Sequence, residues 1–167
     1  PGNSDIVYAS TSDYTAAEIY RSTDNGASWT QIETFASSRR AELAVTPHDA
    51  TYVYAIVANS DRGLKGIYKS TDSGANFSLA FDGNSTNGAL LGYYGDGSGT
   101  NSGQGSYDLC IAVNPTDKNE VFIGGVNTWR SADGGTNWAN NSMWTSYYVY
   151  NTEGTPVVHA DKHVLKY

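Results

Sequence analysis

The chain has 167 residues, a formal net charge of −7 and 16% charged residues, with 18 Gly, 13 Tyr and 4 Trp. That length suits one ordinary domain, the Gly and Tyr content favours short strands and tight turns over helices, and the negative charge argues against a nucleic-acid partner. No apolar run approaches the roughly 20 residues of a bilayer-spanning helix, and the single cysteine, Cys110, excludes an internal disulfide framework.

The first elements follow a Pro-turn. "PGNSDIVY" from Pro1 leads into a strand ending near Tyr8, and "IYRS" marks a second strand that runs into "STDNGASW" at 22–29. A second unit begins with the apolar run "AELAVT". Its strands are expected at about 41–46, 51–58, 66–70 and 76–81, with "PHDATYVY", "IYKS" and "STDSGANF" between them. After the long segment 83–108 comes a third unit. Its strands are expected at about 109–114, 120–125, 127–131 and 137–141, carrying "LCIAVN", "PTDKNEVF", "TWRS" and "SADGGTNW". An aromatic loop, 143–156, leads to 157–167, which reads as the first strand of a further unit.

The octapeptide recurs as Ser-x-Asp-x-Gly-x-(Ser/Asn)-(Trp/Phe), and its chemistry reads as a self-locked hairpin tip. Asp24, Asp72 and Asp133 can accept hydrogen bonds from the N–H groups of their own turn. Gly26, Gly74 and Gly135 can take a positive φ. Ser22, Ser70 and Ser131 can add a second local bond. Trp29, Phe77 and Trp138 re-enter a strand as large anchors.

Each unit therefore reads strand, Pro-turn, strand, loop, strand, Asp-turn, strand: a four-stranded antiparallel meander, repeated. Repeated four-stranded sheets are the blades of a β-propeller. The expected fold is all-β, with residues 1–40 as a partial blade, 41–82 and 109–142 as complete blades, and 157–167 as the inner strand of the next. At roughly 40–50 residues per blade, this length supplies part of a ring.

The three phrases resemble the Asp-box, or bacterial neuraminidase repeat, of sialidases, sortilins and xyloglucanase-like propellers. "GQGSYDLCIAVNPTDKNEVFIGGVNTWRSADGGTNW" with "VVHADKHVLKY" is also similar to a group of large exported bacterial proteins associated with type IX secretion. The resemblance implies a secreted or cell-surface bacterial protein. It also implies boxes that lie away from any active site. A sialidase needs three arginines converging on a carboxylate. Here Arg21 and Arg130, with Lys69, fall on equivalent scaffold positions, leaving Arg39, Arg40 and Arg62, and no Phe/Tyr-Arg-Ile-Pro motif is present.

In an up-down-up-down blade the Pro-turns and Asp-turns share one end. The variable segments 9–18, 31–40, 59–65, 82–108 and 140–156 share the other, where binding is expected. Candidate ligand contacts there are Arg62, Tyr93, Tyr94, Trp144, Tyr147, Tyr148 and Tyr150. Their rings suit the C–H faces of sugars, or the packing of one blade on the next. The segment 82–108 reads as flexible linker, and Asp96-x-Ser98-x-Thr100 within it faintly resembles a Ca²⁺ loop.

"HADKH" is the most chemical stretch. On a strand, His159, Asp161 and His163 would share one side. They could chelate Zn²⁺, or form a buried hydrogen-bond network between blades, and the network is the expectation. No cofactor is otherwise called for. The function expected is a non-catalytic propeller module presenting a loop face to a glycan or protein, partnered by the remaining blades of its ring, with no nucleic acid and no membrane span. The alternatives are a glycoside hydrolase whose catalytic groups are partly elsewhere, and a structural subunit of a surface assembly. Off-repeat carboxylates that could serve a hydrolase are Glu42, Asp61, Asp96, Asp108, Glu153 and Asp161.

Overall fold

The computed structural model describes residues 5–147 and 154–167. Tyr148, Tyr150 and Glu153 lie outside the described residues. Eleven strands and no helix occur among those described. A first sheet holds β1 (Val7–Ser10), β2 (Ala16–Ser22) and β3 (Thr30–Ala36). A second holds β4 (Ser38–Val45), β5 (Val53–Asn59), β6 (Leu64–Ser70) and β7 (Ser78–Asp82). A third holds β8 (Cys110–Val113), β9 (Val121–Gly124), β10 (Thr128–Ser131) and β11 (Ala139–Ser142). Every pairing within a sheet joins neighbours in sequence and is antiparallel, so each sheet is a meander.

The sheets stack because their strands are apolar on both faces. Val53 to Ala58 of β5 are all fully buried. With side chains alternating along the strand, Ala55 and Val57 join Ile19 and Phe35 of the first sheet in one core. Tyr54, Ile56 and Ala58 join Ile111, Val121 and Ile123 of the third sheet in another. Burying one such Ile contributes about 1.5–3 kcal/mol. A polar residue at 55 or 56 would strike one core or the other.

The repeated octapeptide closes each sheet as its residues dictate. Ser22, Ser70 and Ser131 are buried, and each Oγ donates to its aspartate Oδ1 at 2.7, 2.7 and 2.9 Å. The same Oγ accepts the N–H of Gly26, Gly74 or Gly135. Each carboxylate accepts a further N–H four residues on, from Ser28, Asn76 or Asn137. Positive φ occurs at two successive residues in every copy: Asn25 and Gly26, Ser73 and Gly74, Gly134 and Gly135. That is the requirement of a primed turn, which matches the twist of the flanking strands. The anchors sit nearer the surface than a core position. Trp29 is exposed, and Trp29 and Trp138 lie across the glycines of their own turns, where an added Cβ would meet each ring at 3.8 and 3.7 Å.

The opposite segment, 83–108, departs from the flexible linker expected. It folds against the second and third sheets and buries Ala89, Leu90 and Leu91. Asn101 fastens it: its Oδ1 accepts the N–H of Leu64 at 2.8 Å, and its Nδ2 donates to the carbonyls of Leu64 and Gly83 at 2.7 and 2.9 Å. A side chain therefore satisfies backbone groups that a strand would otherwise have to pair.

The last segment also departs from expectation. Residues 157–167 form no strand; their one ladder contact is a parallel bridge from Val157 to Met143. Asp161 takes a φ of 69°, which breaks an extended run. His159, Asp161 and His163 are not buried on one face, and their side chains are 86, 51 and 46% exposed. Period-two patterning makes a strand only where a neighbouring edge supplies hydrogen bonds, and none is offered to this segment beyond Val158.

Candidate functional site

Two groups of side chains gather on the loop end of the sheets. The first is aromatic. Asn127, fully buried, donates from Nδ2 to the carbonyl of Gly92 at 3.0 Å and accepts the N–H of Trp144 at 3.1 Å. It thereby fixes two loops to each other. Trp144 then donates from Nε1 to the carbonyl of Tyr93 at 3.0 Å, and their rings meet edge to face at 6.0 Å. Trp129 anchors the same loop from beneath, donating to the carbonyl of Leu90 at 2.6 Å. Tyr93, Tyr94 and Tyr147 are exposed. Tyr94 lies over Gly99, whose absent Cβ would come within 3.0 Å of the ring. Arg62 stands at the rim with φ of 67°, its carbonyl accepting the N–H of Gly105. Of the sequence candidates, Tyr93 and Trp144 are thus brought into contact.

The second group surrounds the start of β8. Asp108 has no exposed surface, and neither carboxylate oxygen accepts a hydrogen bond of ordinary geometry. Burial raises its pKa and the nearby Asp161 carboxylate raises it further; His163, the Asp161 N–H and Lys162 pull it back more weakly. Nε2 of His163 lies 3.8 Å from Oδ1 of Asp108. The His163 ring stands at right angles to Tyr107, with centroids 4.5 Å apart, and Tyr107 is 60% exposed. Arg40 closes the near side. Its Nη1 donates to the carbonyl of Tyr107 at 2.9 Å, while Nη2 and Nε bond Glu42.

Lys162 holds the tail in this position. Its Nζ donates to the carbonyls of Val126, His159 and Val158 at 2.9, 3.0 and 3.3 Å. Burial lowers its pKa. The carbonyl of Lys162 also faces the Sγ of Cys110, a buried thiol pushed up to about 11 by desolvation and inert as a nucleophile.

The cation readings find no assembled ligand set. His159 meets Asp161 at 3.8 Å, while His163 turns to Asp108. Asp96 accepts the N–H of Ser98 in a local turn. Among the described residues, no three His, Cys, Asp or Glu side chains gather as metal ligands.

A cavity of about 660 Å³ lies between the tail and the outward face of the third sheet, lined by Ala112, Phe122, Val158, Leu165 and Tyr167 among others. It sits beneath the tail rather than among the loop aromatics. Tyr107 and Lys162 were missed as contributors in the sequence. Asp108 was legible there as an off-repeat carboxylate, but nothing in its neighbours marked the long-range contact with His163.

No family model matches the chain, and no curated protein matches it. Among solved structures it is similar to the GH74 enzyme of Niastella koreensis, at 21% identity and a TM-score of 0.58, over 84% of this chain and 21% of that one. It is also similar to the GH74 xyloglucanase from Xanthomonas campestris, at 18% identity and 0.57, over 84% and 22%. An ancestral GH74 enzyme aligns at 18% identity and 0.51, over 84% and 17%. The chain spans about a fifth of the length of these structures. The likeness shows the fold: these sheets are consecutive antiparallel blades of an all-β propeller.

Proposed function

We propose that the chain is a non-catalytic β-propeller module of a secreted or cell-surface bacterial protein, and that its loop face binds a glycan. Its three Ser-x-Asp-x-Gly turns read as Asp-boxes, scaffold elements at the other end of the blades. The supporting observation is the Tyr93–Trp144 pair, set edge to face at 6.0 Å on the buried Asn127, with Tyr94 exposed beside it. Paired rings on a rigid base present a wide apolar surface at small ordering cost, as ring-binding sites require. Two of the off-repeat carboxylates are already committed: Asp108 is sealed from solvent and Glu42 is bonded to Arg40. Neither of these two is open to a substrate as one of a hydrolytic carboxylate pair.

Neutral β-glucans and xyloglucan oligosaccharides are the first ligands to try, because xyloglucanases share the fold. On a glycan array, Trp144→Ala should lose most of the signal while retaining the fold by circular dichroism. New reducing ends released from a bound glycan would show catalysis and defeat the proposal.

A further inference from the structure

A buried carboxylate whose oxygens accept no hydrogen bond of ordinary geometry is costly, so the arrangement around Asp108 calls for a reason. Nε2 of His163 lies 3.8 Å from its Oδ1, with the Asp161 carboxylate and Lys162 also acting on it. The imidazole is clamped on two other sides. Tyr107 meets it at right angles at 4.5 Å, and the preceding Lys162 is tied to three carbonyls. Tyr107 is itself fixed, its N–H donating to Gln104 and its carbonyl accepting from Arg40. No hydrogen bond among the described residues takes up Nδ1 of His163, and that side chain is 46% exposed. Tyr107 is 60% exposed.

We infer that Tyr107 and His163 form a second sugar subsite, separate from the Tyr93–Trp144 pair, in which a pyranose face stacks on Tyr107 and a hydroxyl bonds Nδ1 of His163. Asp108 is a positioning residue: its buried carboxylate faces the Nε2 edge of the ring from 3.8 Å, which leaves the Nδ1 edge toward the ligand. An apolar wall with one or two fixed polar groups is the usual composition of a small-ligand site. The carboxylates of Asp108, Asp161 and Glu42 outnumber the cations Arg40 and Lys162 around it, so an acidic sugar is disfavoured and the ligand class is a neutral glycan. The inference rests on the glycan-binding reading above.

Calorimetric titration of the chain with cellohexaose and with xyloglucan heptasaccharide tests it. Tyr107→Ala and His163→Gln are each expected to weaken binding by about tenfold or more. Asp108→Asn should weaken it less, and should change the imidazole ¹⁵N shifts of His163 that report its tautomer. A purely structural Asp108 would leave those shifts as they are. Retained affinity in Tyr107→Ala and His163→Gln, with binding lost in Trp144→Ala, overturns the subsite and leaves glycan binding standing. Failure of the parent chain to bind either oligosaccharide overturns both. Tyr107 is mostly exposed, so Tyr107→Ala keeps the test open should a change at Asp108 unfold the protein.

Discussion

The hydroxyl of Tyr54 donates to the main-chain carbonyl of Lys118, 2.9 Å away across the boundary between the second and third sheets. One sheet earlier, Tyr8 does the same to the carbonyl of Ser73 at 2.8 Å. Both tyrosines fall seven residues after a repeated proline, and each ring crosses to the turns of the following blade. The third member of the series is Phe122, which has no hydroxyl and packs on Tyr167 of the tail at 5.9 Å. Tyr54→Phe should destabilise the protein by about 1 kcal/mol, the net worth of a buried hydrogen bond. Urea unfolding measures this, and an unchanged midpoint would dismiss the tyrosine as a fastener between blades.

The repeated carboxylates set an acid limit. Asp24 and Asp72 are lowered to about 2, chiefly by side-chain bonds from Ser28 and Asn76 respectively. Asp133 is also lowered to about 2, where burial opposes the shift and bonds from Asn137 and Ser131 outweigh it. An unfolded aspartate titrates near 3.9. The folded state therefore holds fewer protons between these values. The stability they contribute is complete above about pH 4 and falls away as pH drops toward 2. Asp72→Asn should flatten that slope in urea midpoints taken from pH 5 to pH 2. Equal slopes in parent and variant would show that the turn carboxylates are spectators.

Asn101 does the work of a missing strand for the segment 83–108. Asn101→Ala removes the bonds that Asn101 makes to the N–H of the fully buried Leu64 and to the carbonyls of Leu64 and Gly83. The expected loss is about 1–3 kcal/mol. Limited proteolysis should then cut between 84 and 100 before the sheets unfold. Cleavage elsewhere first would show that Leu90 and Leu91, rather than Asn101, fix this segment.

Lys162 is predicted to hold the tail. Lys162→Met removes donors from the carbonyls of Val126, Val158 and His159 while keeping an apolar stem of similar length. Amide exchange at 158–167 should accelerate, and exchange in β8 and β9 should not. Uniform acceleration across the third sheet would mean that the tail is part of the blade's cooperative unit.

Sequence alone determined the meander, its three turns and the order of its strands. Those features are local. A Ser-x-Asp-x-Gly tip satisfies its own N–H groups within one turn. The loop end was also legible, since segments that vary while the turns repeat must share one end of an antiparallel sheet. Only the tertiary structure decided the rest. Whether "HADKH" becomes a strand depends on an edge to pair with, and here Lys162 finds carbonyls while His163 finds Asp108, 55 positions earlier in the chain. Whether 83–108 is a linker depends on Asn101 reaching Leu64 and Gly83. Contacts of that kind join residues whose own neighbours carry no trace of the partner, because a side chain's hydrogen-bonding need can be met from anywhere the fold brings close.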